Sequence, residues 1–128
     1  MAAASHALPG TATPVERIET VLATFAHRAL RRPRLAWALL AEPVDPLVDA
    51  ERLAYRRRYA ALLTEELEVA VATGEVPPQN IRLTAAALVG ACGEALVGPL
   101  SPLGEGVPES APVIRALGTF VRRALGAA

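Results

Sequence analysis

The chain has 128 residues, enough for one domain with one hydrophobic core and no need of disulfide or metal staples. Hydrophobic residues make up 52% of it, and thirteen acids balance thirteen basic residues, every one of them arginine. That neutral balance argues against a nucleic-acid binder, which carries excess positive charge, and the apolar excess points to a lean surface or a face that meets a partner.

Residues 1–12 are rich in Ala, Ser, Gly and Pro and read as a disordered tail. Thr13-Pro14-Val15-Glu16 then starts a helix over 14–31. Thr13 suits the cap, Pro14 the first helical position, and Glu16 the carboxylate of a capping box. Val15, Ile18, Leu22, Phe25, Ala26, Ala29 and Leu30 fall at steps of three and four and make one apolar stripe.

The second helix is short, 33–42, opened by Pro33 and stopped by Pro43, and it holds the single tryptophan. Leu35, Trp37, Leu39 and Leu40 cover most of its circumference. So short a helix has little stability of its own. It is expected to pack between the first and third helices, with Trp37 largely buried.

Asp45-Pro46 or Asp49 starts the third helix, which runs to Thr73, where Gly74 supplies the stop. Val76-Pro77-Pro78-Gln79-Asn80 breaks the chain. The fourth helix follows over 80–98, ending before Pro99, and is built mostly of small residues. Glycine inside a helix costs about 1 kcal/mol against alanine, so Gly90 and Gly93 call for a close approach by another helix. Residues 99–110 form a loop. Ser110 can cap the last helix, with Pro112 in its first turn. Its stripe is Val113, Ile114, Leu117, Val121, Ala124 and Leu125, widened by Phe120. No segment alternates with period two, so the fold class is all-α.

Little in the chain carries chemistry. His6 and His27 lie far apart and Cys92 is the single cysteine, so no metal-ligand spacing and no intrachain disulfide exist. No cofactor is expected, and no acid–base or nucleophile constellation points to an enzyme. The N-terminus lacks the pattern of a signal peptide, and no apolar run is read as reaching the ~18 residues of a membrane span. A cytoplasmic location is expected, with no membrane partner. Cys92 reads as packing, and His27, beside Thr20, Thr24 and Arg31, as solvated. Arg56-Arg57-Arg58 is no patch, because consecutive helical residues point about 100° apart. Arg58 either joins local ion pairs or points inward to an anionic ligand. Glu94 sits on an otherwise apolar helix, at a solvated rim or at a pocket or dimer contact. Phe25, Trp37, Tyr55 and Tyr59 either fill the core or line a pocket.

Four segments in order carry a resemblance. TPVERIETVLATFAHRALRRPRLAWALLAEP runs one helix straight into an Arg-Pro-started short one. AERLAYRRRYAALLTEELEVAVATGEV is a long helix closed by a Gly-Glu-Val turn. IRLTAAALVGACGEALVGPL is a small-residue helix with a central glycine, and APVIRALGTFVRRALGA is a last amphipathic helix. Together they resemble the C-terminal regulatory domain of the TetR family of transcriptional regulators, over about residues 13–127. In that family an N-terminal helix-turn-helix unit binds the operator and a linker helix joins it to the regulatory domain. The regulatory helices enclose a ligand pocket, and the last two pair with those of a second subunit in a four-helix bundle. Ligand binding changes the spacing of the two DNA-binding units.

The resemblance implies a five-helix regulatory domain over 13–128, without the helix-turn-helix and so without operator binding by this chain alone. MAAASHALPG is similar to the end of the linker helix. The pocket is then expected among Phe25, Trp37, Tyr55, Arg58, Tyr59, Leu62 and Cys92, for a hydrophobic or aromatic small molecule. A homodimer face is expected from Ala86, Gly90, Gly93, Glu94 and Val97 on the fourth helix, and from Ile114, Leu117, Val121 and Leu125 on the fifth. The competing expectation is a helical homodimerisation module with no ligand.

Overall fold

The computed structural model describes residues 10–41, 45–104 and 106–127, and its described residues form five α-helices. The expectations for residues 1–9 and for Pro43 lie outside them.

Helix α1 (Pro14–Arg31) begins with the capping box its sequence spells. The Glu16 N–H donates to the Thr13 hydroxyl at 3.2 Å, and the Thr13 N–H donates to the Glu16 carboxylate at 3.0 Å. Its apolar stripe turns Val15, Ile18, Val21, Leu22 and Ala26 fully inward. The helix is the centre of the domain and packs on all four others.

Helix α2 (Pro33–Leu40) departs from expectation. It packs mainly on α1 and α4 rather than between α1 and α3. Its buried residue is Ala36, while Leu35 and Leu39 are 50% and 56% exposed; Trp37 keeps most of its surface covered, against the smaller of the two core clusters. A small inward alanine lets the helix lie flat on its neighbours, which leaves the larger side chains at its edges. The Arg52 guanidinium of the third helix donates to the Ala38 carbonyl and ties α2 down from the other side.

Helix α3 (Pro46–Ala72) takes the earlier of its two possible starts, because Asp45 caps it. The Asp45 carboxylate accepts from the Leu47 and Val48 N–H groups at 3.0 and 3.1 Å. At the far end Gly74 adopts φ +79°, the left-handed conformation that glycine takes freely. The Val76 N–H then reaches the Ala70 carbonyl, and the Val76 side chain drops into the core.

Helix α4 (Ile81–Leu100) is capped by Asn80 and continues through Pro99 instead of ending before it. One proline in the last turn removes a single donor, and the burial of Leu100 draws that turn inward. The helix is also long and apolar enough to cross a membrane by length and composition, contrary to the sequence reading. Here Ala85, Leu88, Cys92, Leu96 and Leu100 bury one side of it in the protein core.

Helix α5 (Ser110–Leu125) starts one residue earlier than expected, with Glu109 as its cap. It ends at Gly126, φ +76°, against the Pro77 ring. Its stripe lies on α1. Glu19 of α1 pairs with Arg122 of α5, and Arg17 of α1 with Glu66 of α3 at 3.6 Å.

The buried residues form two clusters. The larger joins Val15, Ile18, Leu63, Leu67, Leu88 and Val121; the smaller joins Ala26, Leu30, Ala36, Leu96 and Leu100. Phe25 and Leu117 pack against both. The chain is fastened beyond the larger cluster. There Glu75 accepts from the Val15 N–H at 3.2 Å, and the Gln79 amide donates to the Leu125 carbonyl at 3.1 Å.

Candidate functional site

Between α1, α3 and α4 lies a chamber of about 620 Å³, lined by Leu22 and Phe25, by Tyr55, Tyr59 and Ala60, and by Val89 and Cys92 among others. That volume is in the range of small-molecule sites. Three rings form one wall. Phe25 meets Tyr59 edge-on, with centroids 5.5 Å apart, and Tyr55 meets Tyr59 at 4.9 Å. Their placement follows from the helix repeat, since Tyr55 and Tyr59 are one turn apart on α3, and Tyr59 meets Phe25 of α1.

The Tyr55 hydroxyl donates to the Tyr59 hydroxyl at 3.1 Å. Burial raises Tyr59 well above the ordinary tyrosine range, so the ring stays neutral. Cys92 is 1% exposed, and burial pushes its thiol up to about 11. It stands in the wall as a protonated apolar group, not as a nucleophile.

Of the residues expected at the pocket, Phe25, Tyr55, Tyr59 and Cys92 meet in this chamber. Arg58 does not. It lines a second chamber, of about 750 Å³, on the far side of the same three rings, with its guanidinium 5.7 Å from the Tyr55 ring centre. Trp37 and Leu62 line neither of the two; Trp37 packs against the smaller cluster. Leu22 and Val89 were missed, although each lies one turn from an expected residue on the same face, Phe25 and Cys92.

The expected interface residues divide. Ala86, Gly90, Gly93, Glu94 and Val97 all line the first chamber, and Ala86, Gly90 and Glu94 are also exposed. A Cβ added at Gly90 or Gly93 would meet no atom within 4 Å, so among the described residues no other helix makes the close approach they called for. On α5, Val121 and Leu125 are fully buried and have no surface for a partner, which corrects their assignment to a dimer face. Their stripe closes the chain's own core against α1. Ile114 and Leu117 are half-buried beside it, and the outward face carries Ala116, Phe120 and Ala124.

Residues 11–96 match the family model described as the tetracyclin repressor-like, C-terminal domain. No curated protein and no solved structure matches the chain.

Proposed function

The chain belongs to the tetracyclin repressor-like C-terminal domain family, and on that premise we propose that it senses a small apolar molecule and pairs with a second copy of itself. The observation that carries the reading is the first chamber, with its aromatic wall on one side and small residues of α4 on the other. Such a lining suits a hydrophobic or aromatic ligand, with the tyrosine hydroxyls as its polar fixing points.

The dimer face in this reading is the outward side of α4 together with Phe120 of α5. Leu83, Ala87, Gly90 and Glu94 repeat at helical spacing there, and Leu83 is 65% exposed. Gly90 and Glu94 belong to both the chamber wall and that face. A ligand that changes the separation of α3 and α4 therefore moves the surface that meets the partner. Coupling of this kind is what lets a ligand signal beyond its own pocket.

A native mass spectrum of the purified chain tests both halves. The expected species has twice the chain mass and carries additional mass from a bound small molecule. A bare monomer would overturn the reading. A bare dimer that takes up no member of an apolar ligand panel would leave dimerisation and remove sensing. Gly90→Leu should dissociate the dimer while each chain keeps its helical spectrum.

A further inference from the structure

The second chamber differs from the first in its charge. It lies between α1, α2 and the N-terminal part of α3, and among the described residues it is lined by Arg28, Arg31, Arg32, Arg52, Arg56 and Arg58 against one carboxylate, Glu51. The whole protein is neutral and has thirteen arginines, so nearly half of its positive charge meets at one cavity. Arg52 is engaged with Ala38 and Asp49. Among the described residues, Arg28, Arg31, Arg32, Arg56 and Arg58 have no carboxylate within ion-pair distance.

The rest of the lining is apolar: Leu35 and Leu39 of α2, Val48 of α3, and the rings shared with the first chamber. These leucines are the ones the fold leaves half exposed. Guanidinium groups with no carboxylate partner among the described residues offer charge-assisted, bidentate hydrogen bonds to an anion. Half-exposed leucines beside them offer surface to a hydrocarbon chain.

We propose that this second chamber binds a small anionic amphiphile, its carboxylate or phosphate head on the arginine rim and its tail on Leu35, Leu39 and Val48. The site adjoins the first chamber, sharing Phe25, Leu40, Tyr55, Arg56 and Tyr59 with it, and the proposal goes beyond the sensing function read there. A concave cavity held between three helices receives a single molecule, where a membrane surface would need a convex or flat basic face.

Calorimetric titration of the full chain with dodecanoate, below its micelle concentration, tests this. Dodecanoate should bind at least about tenfold more tightly than dodecanol, which has the same tail without the charge, and dodecyltrimethylammonium should not bind. The double variant Arg28→Gln/Arg32→Gln should weaken dodecanoate by about tenfold and leave dodecanol unchanged. Leu39→Gln should weaken both. All three positions are exposed, so the variants should keep the fold, checked by the helical spectrum.

Equal affinity for dodecanoate and dodecanol, or arginine variants that bind as the parent does, would overturn the proposal. Binding lost in Gly93→Leu, which adds a side chain to the first chamber at a position where its Cβ meets no atom within 4 Å, but kept in the arginine variant would also overturn it. That result would leave the first-chamber reading standing. Capture by phosphatidylglycerol vesicles with no binding of free dodecanoate would assign the arginines to a membrane surface instead, and would equally end the proposal.

Discussion

Burial keeps the Cys92 thiol protonated at neutral pH, with its proton lost only near pH 11. A thiol-reactive dye should therefore label the native chain far more slowly than the chain in denaturant. Equal rates, followed by absorbance, would show that the chamber wall opens freely. Two carboxylates one turn apart on α1 respond to pH in opposite senses. Glu16 is held below its ordinary value of 4.5, first by the Thr13 backbone N–H and then by the Thr13 hydroxyl. Its contribution to stability is present above that value and is lost as the pH falls further. Glu19 lies above 4.5, because burial outweighs the Arg122 charge beside it. Its contribution is present at low pH and is lost as the pH rises through the raised value. The stability of the parent relative to Glu19→Gln should thus fall as the pH climbs past 4.5, read from denaturant midpoints at successive pH values. Among these residues, the Thr13–Glu16 pair was legible because its partners are three positions apart. The bond from Val15 to Glu75 spans 60 positions, and no local pattern announces it.

The helices themselves were largely legible, since caps, prolines and apolar spacing are local signals. The first, third and fifth start within a residue of their sequence signals. Pro99 misled because the breaker rule weighs backbone chemistry alone, while Leu100 adds buried apolar area that draws the turn inward. The α5 stripe was read correctly as apolar, but periodicity says which face needs cover and not whose surface covers it. For Val121 and Leu125 the cover is α1 of the same chain. In α2 the reverse held: four large apolar residues suggested burial on two sides, and the inward position belongs to Ala36. Ala36→Leu should accordingly destabilise the domain by about 1–3 kcal/mol through overpacking. Leu35→Gln should change stability by less than about 0.5 kcal/mol. Thermal or denaturant melts of the two variants would check the ranking, and a reversed order would mean that α2 sits the other way round.

At the scale of the molecule, the described helices border two adjoining chambers that share Phe25, Tyr55 and Tyr59. The rings were visible in the sequence as candidates, and so was the choice for Arg58 between solvent and an anionic ligand. The chambers were not visible, because a cavity is the space that remains after helix axes are set, and side-chain volumes alone do not give those distances. The arginine rim was hidden for a related reason: it draws on α1 and α3, which are distant in sequence, and the consecutive run at 56–58 held only part of it. The fastening beyond the larger core cluster has a consequence for kinetics. Glu75 with Val15, and Gln79 with Leu125, join positions 60 and 46 apart, so these bonds can close only after α1, α3 and α5 have met. They belong to the descending side of the folding barrier. Glu75→Ala, which removes about 1 kcal/mol of hydrogen bonding, should leave the refolding rate unchanged and speed unfolding roughly fivefold. A stopped-flow chevron in which the refolding arm moves instead would make this end of the domain the place where folding begins.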